Sequence, residues 1–295
     1  MKEVLEQYGD VFENVELKKI TSYKIGKIAK YVVMPANIEC LVDLIEELKE
    51  TKMPYLVFGS GSNIIIPDKD YEGVIIKLDN LNKLVIKGNK VVVGSGYYLP
   101  KLVKTTVNEG LKGLEWALGI PSSVGGAVVG NAGAYLSCIY DFIETVTYLN
   151  DKKQIVTLKK EDIKYSYRHS MFKDNKDYIV LECKLELSKG NYDASMAIID
   201  DRMKRRLESQ PLEYPSAGSV FRNPEGNYAG KLIEDLGLKG HIIGGAQISE
   251  KHANFIINIG NATGEDIIEL INLIKEKVKE VYDIDLILEQ EIIKW

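Results

Sequence analysis

Three stretches of this 295-residue chain are dense in residues able to hold or transform a ligand. Gly59-Ser60-Gly61-Ser62-Asn63 follows directly on the apolar run Tyr55-Leu56-Val57-Phe58. Glycines let backbone N–H groups turn toward an anion, and serine hydroxyls add donors. The spacing is neither GxGxxG nor GxxxxGK[ST], so neither a Rossmann nor a P-loop site follows, and by itself the segment reads as a tight loop of turn formers. The second stretch, Gly119 to Tyr135, is filled mostly by small residues, among them Gly119, Pro121, Ser122, Ser123, Gly125, Gly126, Ala127, Asn131, Gly133 and Ala134. Any one of these glycines can serve a packed turn, but two such loops in one chain favour a long cofactor spanning both. In the third, Pro215-Ser216-Ala217-Gly218-Ser219-Val220-Phe221-Arg222-Asn223-Pro224, Ser219 can act as nucleophile or proton donor. It does not fit the GxSxG elbow, and none of His169, His241 and His252 is tied to it by spacing, so acyl transfer is disfavoured.

Two smaller groups add charge. Tyr167-Arg168-His169-Ser170 sets an arginine among aromatic and small residues, where its planar fork can hold a carboxylate; a surface arginine is the simpler alternative. Glu289 and Glu291 are two apart, so on a strand they share a face, which can equally be a solvated one. The run Arg202-Met203-Lys204-Arg205-Arg206 is either an anion site or a solvated helix face.

The elements that carry these groups follow from periodicity. Tyr31 to Met34 reads as a strand stopped by Pro35. Asn37 caps a helix whose apolar positions Ile38, Leu41, Val42, Ile45 and Leu48 repeat at the helical period, with Cys40 on the apolar side. Tyr55 to Phe58 completes a β-α-β unit ending in the first glycine-rich turn. Gly88-Asn89 between Leu84–Lys87 and Val91–Val93 predicts a hairpin, and Asn150 to Lys153 predicts a second between Val146–Leu149 and Ile155–Leu158. Lys189-Gly190-Asn191 is a plausible linker, followed by a charged helix over Ala194 to Leu207. A long amphipathic helix after Thr263 buries Ile267, Leu270, Ile271, Ile274 and Val278, and Ile284 to Ile293 is strand-like. The middle of the chain therefore reads as α+β with long functional loops.

Composition narrows the classes. A net charge of −5 argues against nucleic acid as the main partner. Three widely spaced cysteines, Cys40, Cys138 and Cys183, give no CxxC pair, so neither a zinc site nor a disulfide framework is expected, and no metal is. No apolar run reaches the ~18–20 residues that span a bilayer. With no apolar N-terminal signal region, the expected location is cytoplasmic, with no membrane partner.

Taken in order, Thr21-Ser22-Tyr23-Lys24-Ile25-Gly26, Gly59 to Asn63, Gly119-Ile120-Pro121 through Gly125-Gly126-Ala127, and Asn131-Ala132-Gly133-Ala134-Tyr135 match a family pattern. It continues with Tyr167 to Ser170, Pro215 to Phe221, Ala229-Gly230-Lys231-Leu232-Ile233-Glu234 and Leu288-Glu289-Gln290-Glu291. The series resembles the UDP-N-acetylenolpyruvoylglucosamine reductase family over nearly the whole chain, in the shorter form lacking an extra substrate loop. The resemblance implies an α+β fold of the vanillyl-alcohol-oxidase (PCMH) type. FAD-binding subdomains at 1–78 and 79–190 would precede a substrate domain at 191–295, whose tail returns to the active site. It implies non-covalent FAD on the two small-residue loops, Gly59 to Asn63 and Gly119 to Tyr135. NADPH is implied as hydride donor, UDP-N-acetylglucosamine enolpyruvate as substrate, and no obligatory protein partner. Ser219, Arg168 and Glu291 match the family's proton donor, carboxylate-stabilising arginine and glutamate. Tyr167, Arg168, Asn223 and Lys231 are expected on the substrate side, and the 202–206 cluster against the UDP diphosphate if not in solvent. The chain departs from the pattern at Lys27, Ser122 and Gly130. The rival readings are another FAD-dependent oxidase or dehydrogenase of the same fold, or a catalytically silent flavin-binding paralog. Arg168, Ser219 and Glu291 together discriminate against the first.

Overall fold

The computed structural model describes residues 1–295. The chain divides into two compact units. The first comprises residues 1–13, 31–60 and 72–204, and the second residues 14–30, 61–71 and 205–295.

Two sheets and two apolar core clusters make up most of the first unit, with Leu149, Ile179 and Leu181 of the second sheet packing in the cluster of the first. Strands β1 (Gly9–Glu16) and β2 (Ile28–Pro35) precede helix α1 (Ile38–Glu50), then β3 (Tyr55–Phe58) and β4 (Tyr71–Lys77). The sheet order is β1-β2-β4-β3, and β3 runs parallel to β4 with Tyr55 beside Val74. The crossover from β2 through α1 therefore skips one strand position, which β4 later fills. Asn37 Oδ1 accepts from Cys40 N–H at 2.8 Å and starts α1. The helix buries Leu41, Leu44, Ile45 and Leu48 against Val33, Val74 and Ile76. Cys40 is only half-buried.

The second sheet is built from β5 (Leu84–Lys87), β6 (Lys90–Gly94), β7 (Ile143–Leu149), β8 (Ile155–Lys159) and β9 (Ile179–Glu186), in the order β8-β7-β9-β6-β5. Both expected hairpins form. Lys87 pairs with Lys90 across Gly88-Asn89, where Gly88 takes φ 62°, and Leu149 pairs with Ile155. Asn150 Oδ1 accepts from Lys152 N–H and Gln154 N–H at 2.9 and 2.8 Å and closes the second turn. Helices α2 (Leu99–Asn108) and α3 (Val124–Val129) bury Leu102, Val103, Val124 and Val128 with Val91, Val93 and Val146.

Residues 189–191 do not form a free linker. Ser188 and Lys189 pair with Lys112 and Leu111, and Gly190 N–H bonds Gly110 C=O at 2.8 Å. Helix α4 (Tyr192–Ser209) is longer than its sequence pattern at both ends, and Ile199 lies in the second core of the first unit. The division between units falls inside α4, after Lys204.

In the second unit, helix α5 (Ala229–Asp235) precedes the sheet β10 (Ile242–Ile243), β11 (Ala246–Ile248) and β12 (Ile256–Asn258), and helix α6 (Gly264–Tyr282) follows it. Thr263 Oγ1 accepts from Asp266 N–H at 3.1 Å, and Asp266 returns the bond to Thr263 N–H at 2.9 Å. Ile267, Leu270, Ile271, Ile274 and Val278 are buried as their spacing predicts. The tail is less regular than its composition suggests: only Glu291–Ile292 form a strand, paired in parallel with Ile64–Ile65. No helix is long and apolar enough to cross a membrane.

Candidate functional site

Within the first unit, Gly59 and Ser60 at the end of β3 meet the second small-residue loop at Ser123. Leu78, Asp79, Gly96 and Tyr98 complete an open depression of about 300 Å³, its mouth included. The chain after β6 builds its floor. Gly125 N–H bonds Ser95 C=O at 2.8 Å, Val124 N–H bonds Tyr97 C=O at 2.9 Å, and Leu99 N–H bonds Ser122 C=O at 2.9 Å. Gly119 and Pro121 lie in the turn that enters this segment, where Ile120 N–H bonds Ala117 C=O at 3.0 Å. Ser123 Oγ accepts from Gly126 N–H at 3.2 Å and caps α3, whose Ala127 is buried.

Backbone approach here requires glycine. A Cβ on Gly96 would sit 1.7 Å from Leu78 O, one on Gly59 2.8 Å from Ser123 Oγ, and one on Gly125 2.8 Å from Ser95 Cβ. Ser95 Oγ is buried without a hydrogen-bond partner.

The same loop continues into the arginine motif. Gly133–Ala134 pairs with Ser137–Cys138 around Tyr135 and Leu136, which take φ 53° and 63°. Two left-handed non-glycine residues cost on the order of 1–3 kcal/mol each, a strain that surrounding contacts must offset. Tyr135 is held by the Arg202 guanidinium 4.6 Å from its ring centroid and by its own hydroxyl, which donates to Arg202 C=O at 3.3 Å. Arg168 sits at the tip of the hairpin Tyr165–Ser170 with φ 58°. Its Nη2 donates to Gly133 C=O at 2.6 Å, and its guanidinium lies 5.2 Å from the Tyr167 ring centroid. Asn131 Nδ2 donates to Ser166 C=O at 2.8 Å, and Ser170 Oγ donates to Val129 C=O at 2.7 Å. Asn131 Oδ1 is buried without a partner. The structure thus brings Tyr167 and Arg168 together with Asn131, Gly133 and Tyr135.

Gly61, Ser62 and Asn63 belong to the second unit. Gly61 has φ 64° and lies against Ile20, and Ser22 N–H bonds its C=O at 3.0 Å. Asn63 holds the tail: its Nδ2 donates to Glu289 C=O at 3.1 Å, and its C=O accepts from Glu291 N–H at 2.9 Å. Ser219 is half-buried in the same unit. The segment it starts runs antiparallel to the tail, with Phe221 bridged to Leu288 and Glu289 N–H bonded to Val220 C=O at 2.9 Å. Ser219 and Glu291 are therefore positioned by adjoining segments.

Asn223 and Lys231 are committed locally. Asn223 Oδ1 accepts from Ala229 N–H at 3.1 Å, and Lys231 is ion-paired with Asp235 one helical turn on, which raises its pKa. The 202–206 cluster is not one uniform face: Arg202 packs on Tyr135, while Lys204 and Arg205 are exposed. Of the residues departing from the family pattern, Gly130 ends α3 at φ −84°, a conformation open to any residue, and Ser122 Oγ donates to Ser123 C=O at 2.9 Å.

Sequence reasoning passed over Leu78, Asp79, Gly96 and Tyr98. Gly94-Ser95-Gly96 directly after β6 repeats the glycine-serine-glycine signal of residues 59–61 and points to them. It gave no role to Gln290 and Tyr23, named only as parts of their motifs: Gln290 contacts the segment before Ser219, and Tyr23 contacts Gln290.

Comparison with known proteins bears on both units. A family model described as an FAD binding domain matches residues 29–159, and one described as the C-terminal domain of UDP-N-acetylenolpyruvoylglucosamine reductase matches residues 210–293. The chain is 41% identical over 293 residues to a UDP-N-acetylenolpyruvoylglucosamine reductase of Caldanaerobacter subterraneus, covering 99% of this chain and 96% of the relative. It is 44% identical over 284 residues to that of Clostridium novyi, covering 96% and 92%. The crystal structure of the reductase from Thermus caldophilus superposes with a TM-score of 0.82 at 32% identity, covering 97% and 98%.

Proposed function

Because the chain belongs to the UDP-N-acetylenolpyruvoylglucosamine reductase family and is an FAD-dependent oxidoreductase of peptidoglycan synthesis, we propose how its residues divide the work. NADPH is the reductant, UDP-N-acetylglucosamine enolpyruvate the substrate and UDP-N-acetylmuramate the product, formed in the cytoplasm. The observation that carries this reading is the near-full-length likeness to reductases of that name.

The residues present fit FAD. Side chains at Gly59, Gly96 and Gly125 would collide with Ser123, Leu78 and Ser95, so these glycines let the segments around the depression close on one another, and the buried Ser95 Oγ and Asn131 Oδ1 there have no protein partner. Gly59, Ser60, Ser123, Gly125, Gly126, Asn131 and Tyr135 are the residues we assign to hold it, without a covalent link. FAD supplies the hydride chemistry. The two glycine-rich loops are assigned to subdomains 1–78 and 79–190, and Leu81, Leu149, Ile179 and Leu181 of the second extend the core cluster of the first.

The chain's own groups then act on the enolpyruvyl moiety. Reduction must leave one hydrogen on each alkene carbon, and the carbon next to the carboxylate passes through a carbanion whose charge spreads into that carboxylate. Arg168 stabilises this charge with its planar fork. Ser219 gives the proton to the carbanion. Glu291 assists as a donor or proton relay, and Tyr167, Asn223 and Lys231 contact the substrate.

Stopped-flow absorbance without oxygen, one half-reaction at a time, tests this. Ser219→Ala should leave flavin reduction by NADPH intact, because that step needs no proton from Ser219. Substrate-dependent reoxidation should slow by at least the ~10²–10⁴ typical of general acid catalysis. Parent-rate reoxidation in the variant would reduce Ser219 to a loop residue.

A further inference from the structure

Gln290 is 3% exposed in a tail otherwise rich in charge. Its Nε2 donates to two successive carbonyls, Ala217 at 3.2 Å and Gly218 at 3.1 Å, and its Oε1 accepts from Tyr23 Oη–H at 3.0 Å. Two carbonyls require two N–H donors, so only one orientation of the amide satisfies the site, and the Tyr23 hydroxyl must donate. Tyr23 is fully buried, burial holds its hydroxyl far above the usual phenol pKa, and its C=O accepts from Asn258 Nδ2 at 2.9 Å. The hydroxyl is therefore kept protonated, and the residue is held in place. Gly218, at φ 76°, is the last residue before Ser219.

We propose that Gln290, oriented by Tyr23, is the positioning residue that fixes the turn from which the Ser219 hydroxyl is presented. This rests on Ser219 being the proton donor and adds what aims it. The backbone register puts Gln290 across from Ser219, since Val220 faces Glu289 and Phe221 faces Leu288. The main-chain bonds Glu289 N–H to Val220 C=O and Glu291 N–H to Asn63 C=O hold the tail without the Gln290 side chain. Removing that amide therefore leaves the tail docked but releases the carbonyls at 217 and 218. Proton transfer from a hydroxyl tolerates little misplacement: a shift of ~1 Å costs on the order of 10²-fold in rate.

The test uses the holoenzyme, with anaerobic half-reactions and Ser219→Ala run alongside. Gln290→Leu should slow substrate-dependent reoxidation by about 10–100-fold. Flavin reduction by NADPH and the substrate concentration giving half the maximal rate should stay near parent values. Gln290→Glu gives a second readout. A neutral carboxyl can donate to one carbonyl and accept from Tyr23, whereas a carboxylate faces two carbonyl oxygens. Its reoxidation rate, relative to parent at each pH, should recover between about pH 8 and pH 6. Tyr23 is the titratable group touching position 290, and Glu289 and Glu291 flank it in both proteins, so the ratio isolates the substituted side chain. Tyr23→Phe should slow reoxidation less, and not additively with Gln290→Leu. The proposal is overturned if Ser219→Ala is slow while Gln290→Leu matches the parent. It is equally overturned if both half-reactions fall together, or if Gln290→Glu shows no recovery. If Ser219→Ala itself matches the parent, the role of Ser219 fails first and the proposal with it.

Discussion

Arg168 shows what a residue's type and its surroundings each contribute. Its left-handed backbone places it at a hairpin tip, and its fork is tied to Gly133 C=O of the second loop. Lysine keeps the charge but cannot reproduce planar, two-pronged contact. Arg168→Lys should slow substrate-dependent reoxidation by roughly 10–100-fold, the equivalent of one charge-assisted hydrogen bond of about 1.5–3 kcal/mol, and spare flavin reduction. Equal loss in both half-reactions, measured by stopped flow, would make Arg168 structural. Ser219, Arg168 and Glu291 stood out as candidates because each sits in a motif of recognisable composition, and the half-reactions test their roles. The commitments of Asn223 and Lys231 depend on where α5 begins, which their motif does not reveal. The pairing of Gln290 with Tyr23 was not readable, because the two motifs that hold them lie 267 positions apart.

At the scale of elements, the glycine-rich loops act through close backbone approach. Gly59→Ala drives a Cβ toward Ser123 Oγ, the cap of α3. Losing a cap costs about 1 kcal/mol, so FAD affinity should fall about fivefold in a folded variant. Unchanged affinity by fluorescence titration would move the cofactor away from this depression. Helices and hairpins were readable because capping and turn residues act locally, as at Asn37, Thr263 and Gly88. The place of β4 between β2 and β3, and the pairing of residues 188–189, were not, because strand neighbours are set by distant partners. His252, between β11 and β12, predicts a pH effect. Burial lowers its pKa, and its Nδ1 accepts from Asn254 N–H at 3.2 Å. The unfolded chain takes up this proton near the ordinary histidine pKa of about 6.5, and the folded chain only at lower pH. The contribution is thus complete above about pH 6.5 and lost as pH falls through the folded value, by at most about 1.4 kcal/mol per pH unit. His252→Gln should lose less melting temperature than the parent between about pH 7.5 and pH 5. An identical drop in both proteins would exclude His252 as the titrating group.

At the scale of the molecule, the order of motifs along the chain made the family legible, since no single motif is specific and their succession is. The division into units was not legible: it falls within the unbroken helical pattern of α4. Gly59, Ser123 and Arg168 belong to the first unit, and Ser219 and Glu291 to the second. The central claim is that one protein takes hydride from NADPH and delivers it to an enolpyruvyl sugar nucleotide. The direct measurement is anaerobic reduction of the purified holoenzyme by one equivalent of NADPH, followed by UDP-N-acetylglucosamine enolpyruvate in deuterated water. The account predicts that the flavin absorbance returns in proportion to added substrate. The product should carry two more hydrogens than the substrate, with a solvent deuterium on the carbon next to the carboxylate. A flavin that stays reduced until oxygen is admitted, with the sugar nucleotide recovered unchanged, would contradict it.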